Sequence, residues 1–187
     1  MTMKYRVVVA GCGVMANTWV DYVKKRSDTD IVGLVDIKAE FARAMAERKE
    51  LACPVFTDLK EAIQATGANL VFDITIPAVH HQIATTAMEL GCHVFGEKPL
   101  SETMSDCLDI VRVSERTGKI HAVMQNRRYD PRIRSLRKLI ADGTIGKPGF
   151  IGASFFLGPH FGGFRDAMES PLLLDMAIHT VDQARLI

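Results

Sequence analysis

Apolar and polar positions along the chain switch repeatedly between two periods. Residues 5–10 (YRVVVA) form a nearly unbroken apolar, valine-rich run, the pattern of a strand covered on both faces by helices in a parallel sheet. Residues 15–26 carry helical spacing, and 30–36 (DIVGLVD) return to the strand pattern. Residues 38–50 are rich in Ala, Glu, Arg and Lys, with Phe41, Ala42, Met45 and Ala46 on one helical face. Asp58 and Glu61 frame a capping box, which opens a short helix that Gly67 closes. A short strand at 54–56 precedes that helix, and 69–75 (NLVFDIT) is a clear strand after it. A helix over 79–90 ends at Gly91, 92–97 (CHVFGE) is a strand, 102–117 is a helix stopped by Gly118, and 119–125 is the next strand. Strands alternating with helices predict an α/β fold with a doubly wound parallel sheet built from βαβ units.

Composition narrows the class. A chain of 187 residues fits one large domain or one and a fraction, and 48% hydrophobic residues are enough for a substantial core. The net charge of +1 gives no bias toward nucleic acid or membrane surfaces. No apolar run approaches the roughly 20 residues that span a bilayer, and the opening MTMKYRVVVAG enters a strand without a leader pattern. Cys12, Cys53, Cys92 and Cys107 lack metal-ligand or paired spacing, so neither a structural metal nor a disulfide framework is expected. A cytoplasmic protein with free thiols is the expectation.

The first strand-to-helix junction reads Gly11, Cys12, Gly13, Val14, Met15, Ala16. Gly11 permits a tight turn, Gly13 lets backbone amides approach a pyrophosphate, and Ala16 lets the helix pack closely on the strand. The helix start, with Val14 and Met15, supplies N–H groups and partial positive charge. Asp36 ends the second strand twenty residues beyond Ala16, where a carboxylate accepts hydrogen bonds from a ribose diol. The alternative is a structural turn and an ordinary strand-end acid. Thr75 and Pro77, Glu97 to Pro99, and Asn126 to Tyr129 follow three further strands. In a doubly wound sheet the carboxyl ends of strands border one crevice.

Residues 75–103, TIPAVHHQIATTAMELGCHVFGEKPLSET, resemble the signature stretch of the glucose–fructose oxidoreductase and inositol dehydrogenase family, Gfo/Idh/MocA. The resemblance runs through GCGVMA, Asp36, the Thr75 to His80 segment, EKP, NRRYDP, KLIADGTIGKPGFI and the segment from Asp175 to His179. It implies a dinucleotide-binding Rossmann domain at 1–124 and, at 125–187, the beginning of an α/β substrate and oligomerisation domain. It further implies a dehydrogenase that uses NAD, with NADP as the alternative, on a sugar, cyclitol or related polyol. The nucleotide set is Gly11, Gly13, Val14, Met15, Asp36, Thr75, Pro77, His80, Glu97 and Lys98. The catalytic set is Lys98, Asp175 and His179, with a Lys98–Pro99 peptide expected to be cis. Arg128, Tyr129 and His160 are candidates for substrate contact, and no metal is implied. The expected partners are a small polyol and a second copy of the chain, not nucleic acid or membrane.

The chemistry is consistent with that set. Oxidising a secondary alcohol requires a base for the hydroxyl proton, and a histidine titrates in the right range. An ammonium beside the same oxygen favours developing alkoxide. Ser170 and Pro171 are good starting residues for a helix, on which Asp175 and His179, four apart, share a face; Asp182 either orients the imidazole or is solvated. Each assignment has a plainer competitor: Lys98 as a surface lysine beside Glu97, His179 as a satisfied core histidine, His80 in a capping or packing role, Arg128 paired with an acid.

Ile76 stands where a proline is common in the family, and Met176 and Ala177 where Ile-Gly is common. Residues 149–157 (GFIGASFFL) read as a strand followed by one helix. A second domain with one strand has no ladder, so it is expected to be incomplete within these residues, either as part of a longer chain or as a short form that borrows strands. Two rival functions accompany the dehydrogenase: a dinucleotide-binding regulatory or assembly protein, and a reductase of an imine or unsaturated ring.

Overall fold

The computed structural model describes residues 4–156, 158 and 162–187. They form two compact units, Met1–Met124 and Gln125–Ile187.

The first unit runs β1 (Tyr5–Ala10), α1 (Val14–Val23), β2 (Thr29–Val35), α2 (Ala39–Arg48), β3 (Val55–Phe56), α3 (Leu59–Thr66), β4 (Leu70–Asp73), α4 (Pro77–Glu89), β5 (His93–Gly96), α5 (Met104–Thr117), β6 (His121–Val123). The strands form one sheet in the order β3-β2-β1-β4-β5-β6, every pair parallel. The expected alternation and doubly wound sheet are therefore present. The expected caps are also present: Asp58 accepts from the Glu61 amide at 2.8 Å, and Gly67, Gly91 and Gly118 all carry positive φ.

Alternation along β1 divides the core. Val7 and Val9 pack with Ala16, Trp19, Val20, Ala42 and Met45 of α1 and α2, whereas Val8 and Ala10 pack with residues of α3, α4 and α5. The two helix layers thus cover opposite faces. Because β1 sits beside both β2 and β4, the chain departs from β1 to one face and from β4 to the other. That switch point opens a crevice at the carboxyl ends of β1 and β4.

In the second unit, Asn126–Tyr129 form a 3₁₀ turn, followed by α6 (Pro131–Ala141), another 3₁₀ turn (Gly163–Ala167), a π-helical stretch (Leu172–Ala177) and α7 (Ile178–Leu186). Two expectations are corrected here. Residues 149–156 make no ladder and are irregular, because a β-prone pattern needs a partner strand to satisfy its N–H and C=O groups; Leu157 lies outside the described residues. The helix carrying Asp175 is not α-helical at that point either. Asp175 lies in the π-helical stretch and His179 in α7, so the α-helical face on which they were paired is interrupted. Such π turns occur mostly as insertions within α-helices. Among the described residues no helix is long and apolar enough to cross a membrane.

Candidate functional site

The crevice in the first unit is built from the tips of four strands. Gly11 follows β1 with φ of 89°. A Cβ there would lie 2.5 Å from the Ile74 carbonyl oxygen and 2.9 Å from the Thr75 nitrogen, so the turn lies directly against the end of β4. Gly13 differs. Its φ is −76°, and a Cβ on it would meet nothing within 4 Å. The protein's own packing demands glycine at 11; at 13 the missing side chain leaves room that the chain does not use.

Gly13 caps α1 without a side-chain hydrogen bond, and no acidic residue lies in the first turn. By contrast, α3 and α5 are capped by Asp58 and Thr103. The first N–H groups of α1 are left for an outside anion. Val14 is 87% exposed, while Ala16 is fully buried against the sheet. The Asp36 carboxylate accepts from the Cys12 amide at 2.9 Å and from the Lys38 amide at 3.0 Å. Two bonds use about half of a carboxylate's acceptor capacity, so Asp36 is fixed in place and still able to receive a diol. The Lys38 ammonium lies over the Phe41 ring, 5.4 Å from its centroid. Cys12 is buried, and burial together with the Asp36 charge pushes its thiol up to about 12; it is no nucleophile. A glycine loop with unused room, an uncapped helix start and a fixed strand-end acid fit the pyrophosphate and ribose of a dinucleotide.

At the tip of β4, the Thr75 hydroxyl and amide both donate to Asp73 Oδ1, at 2.5 and 3.2 Å. Pro77 is the first residue of α4. At the tip of β5, Glu97 accepts from the Trp19 indole N–H at 3.0 Å, which draws its side chain toward α1. Trp19 itself packs against Phe72 and Phe95, with ring centroids 5.0 Å apart in each case. Lys98 follows, half-buried, and its peptide bond to Pro99 is cis.

Three polar groups behind these tips, Asp73 and His80 buried and His121 half-buried, were not read from the sequence as a cluster. Asp73 is 1% exposed and His80 is 2% exposed. A Cβ on Gly96 would touch both Asp73 Cβ and His121 Nε2 at 3.6 Å. Burial pushes the Asp73 carboxyl up, against the pull of His80 and Thr75. Burial, and then the charge of His80, pull His121 down to about 4. His80 has both ring nitrogens on main-chain carbonyls, Nδ1 on Pro99 at 2.7 Å and Nε2 on Thr75 at 3.2 Å. The only available signal was period-2 alternation, which puts Asp73 and Gly96 on the face that α4 covers.

In the second unit, Asp175 is 1% exposed and accepts from Arg165 Nε at 2.7 Å; His179 is 6% exposed. Arg128 holds Asp182 in a two-pronged ion pair, Nε to Oδ2 at 2.9 Å, so the plainer reading of Arg128 describes its contact and Asp182 is committed to it. Tyr129 is 63% exposed. His160 lies outside the described residues. The four cysteines are free, and no group of three or more His, Cys, Asp or Glu among the described residues is placed to hold a metal ion.

The model of a family described as "Oxidoreductase family, NAD-binding Rossmann fold", GFO_IDH_MocA, matches residues 5–125. Inositol 2-dehydrogenase of Corynebacterium glutamicum is 30% identical over 185 residues, which cover 97% of this chain and 53% of that protein. A 1,5-anhydro-D-fructose reductase of Ensifer adhaerens is 27% identical over 186 residues, 95% of this chain and 54% of that one. The crystal structure of an NAD-binding protein from Listeria innocua superposes with a TM-score of 0.78 at 28% identity, covering 97% of this chain and 54% of that one. The chain spans about half the length of the curated relatives it matches.

Proposed function

The chain belongs to the Gfo/Idh/MocA family of oxidoreductases, and on that premise we propose that it binds NAD in the β1/β4 crevice and acts on a secondary alcohol of a sugar, cyclitol or related polyol. The observation that carries the reading is the room left at Gly13 beside the uncapped start of α1 and the fixed carboxylate of Asp36. Gly13, Val14 and Met15 would hold the pyrophosphate through main-chain N–H groups, and Asp36 the adenosine ribose. NAD over NADP follows from Asp36, whose charge opposes a 2′-phosphate, while the Lys38 ammonium two residues on is placed over Phe41.

Bound NAD supplies the hydride acceptor; the chain's residues manage the proton and the charge. Lys98 is assigned to the reacting oxygen, where its ammonium favours the alkoxide as the hydroxyl proton leaves. His179 is assigned the proton, as a base on Nδ1 or Nε2. Asp175 completes the assigned set, and Arg165 donates to its buried carboxylate at 2.7 Å and orients it. Glu97, held by Trp19, fixes the chain direction into Lys98.

The test is a screen of inositols and sugars with NAD, followed by nicotinamide absorbance, alongside a nucleotide titration read by Trp19, the single tryptophan. Turnover with at least one polyol is expected, and Lys98→Ala should lower it by two or more orders of magnitude while binding NAD nearly as well. Unchanged turnover in Lys98→Ala sinks the assignment. A second reading, a nucleotide-binding protein without turnover, is favoured by the lack of any ladder among the described residues of the second unit; NAD binding with no turnover across the whole screen selects it.

A further inference from the structure

Gln125, just beyond β6, carries a buried polar atom that the assigned chemistry does not use. Its side-chain oxygen is buried and has no hydrogen-bond partner among the described residues. An amide oxygen taken out of water without a donor is destabilising, because it gives up its bonds to water and gains none. A ligand that brings an N–H or O–H to it removes that cost.

The backbone determines where this group stands. β5 and β6 pair in parallel, Val94 with His121, Phe95 with Ala122 and Gly96 with Val123. The Met124 amide extends that ladder by donating to the Gly96 oxygen at 2.8 Å. Continued two residues past the strand ends, the same register sets Gln125 level with Lys98. On the far side, the main-chain oxygen of Gln125 accepts from the Arg128 amide at 3.3 Å as the 3₁₀ turn begins. The residue is thus tied on both sides. The family match runs through residue 125, so Gln125 closes the matched NAD-binding region.

We propose that Gln125 is a cofactor contact: its side-chain oxygen accepts from the carboxamide N–H₂ of the nicotinamide and fixes the rotation of that ring beside Lys98. This rests on the NAD site proposed above. With the pyrophosphate at the tip of β1 and Lys98 at the reacting oxygen, the nicotinamide end extends along the row β1-β4-β5-β6, and Gln125 stands at the end of that row. The carboxamide is the part of the ring that offers N–H donors, and it is bonded to the carbon next to the one that takes the hydride. Holding it on the β6 side keeps the ring from turning over about its bond to the ribose, so one face meets the substrate. A substrate hydroxyl offers the same donor chemistry, and changing the cofactor alone separates the two.

The experiment is a calorimetric titration of the full chain, parent and Gln125→Met, with NAD and with its 3-acetylpyridine analogue, in which a methyl group replaces the carboxamide N–H₂. Methionine is close to glutamine in size and is only a weak acceptor. A neutral hydrogen bond corresponds to about two- to tenfold in affinity. The parent is expected to prefer NAD, and Gln125→Met to lower the NAD-to-analogue affinity ratio by about two- to tenfold, NAD weakening while the analogue binds as before. Effects of either change that do not involve the other cancel in this double comparison. An unchanged ratio overturns the proposal, and a substrate hydroxyl on Gln125 would give that result. Without ligand, Gln125→Met should resist urea at least as well as the parent, since it removes an unpartnered acceptor. A clear loss of stability would show that Gln125 serves the fold instead, and also overturns the proposal. If the parent binds neither nucleotide, the NAD site fails together with this contact; binding with an unchanged ratio removes the contact alone.

Discussion

Gly11 and Gly13 are two residues apart, and adding one methyl group to each should have opposite consequences. In Gly11→Ala the new Cβ sits at a φ of 89°, at 2.5 Å from the Ile74 oxygen and 2.7 Å from its carbon. The left-handed backbone costs about 1–2 kcal/mol for a residue with a Cβ. The overlap adds about 1–3 kcal/mol, because the atoms met are backbone and no rotamer change relieves them. The total, about 2–5 kcal/mol, is a large share of the roughly 5–15 kcal/mol that holds a domain together. It corresponds to a fall in Tm of about 5–20 °C for a chain of this size. In Gly13→Ala the φ of −76° is permitted and the methyl meets nothing. A poorer helix cap costs a few tenths to about 1 kcal/mol, and the less flexible unfolded chain returns about 0.4–1 kcal/mol. Stability should stay within about 1 kcal/mol of the parent, while NAD affinity falls at least tenfold because the methyl occupies the room a pyrophosphate needs. Urea unfolding followed by circular dichroism measures the first quantity, and a Trp19 fluorescence titration the second. Parental NAD affinity in Gly13→Ala would refute the placement of the phosphates, and parental stability in Gly11→Ala would refute the close approach of β1 and β4.

Asp36→Ser should weaken NAD and narrow the gap to NADP by about tenfold or more, by removing the charge that opposes a 2′-phosphate; an unchanged ratio from paired titrations excludes Asp36 from cofactor choice. His121 is held down at about 4 when folded against 6.5 as its ordinary value. Below about pH 6.5 the unfolded chain therefore binds a proton that the folded chain refuses. Its contribution to stability is complete above that pH and is lost as pH falls to about 4, up to about 3 kcal/mol. Asp73, raised on folding, titrates in the opposite sense, so the parent should be compared with His121→Gln by urea unfolding across this range; parallel curves would contradict the burial of His121. Phe150 and Phe156 are 89% and 92% exposed, and apolar surface of that kind drives association. The chain should grow in mean mass with concentration by light scattering, less so in Phe150→Ser/Phe156→Ser, and a constant monomer mass contradicts this.

Much of the first unit was legible because its signals are short-range. The β1 run, the Asp58 cap three residues from its partner amide, the closing glycines and the Gly11–Met15 loop each lie within one contiguous segment, where backbone propensity and local hydrogen bonding decide the conformation. Period-2 alternation then determines which strand residues face which helix layer. Tertiary structure alone decided the pairings: Trp19 with Glu97, Asp36 with the Cys12 amide, His80 with Pro99, Arg128 with Asp182. Such partners are separated by 19 to 78 residues, and whether they meet depends on how distant elements pack, which no local window contains. Residues 149–156 show the same division from the other side. Their composition favours a strand, but a strand exists only where a neighbour completes its hydrogen bonds, and the described residues of the second unit offer none.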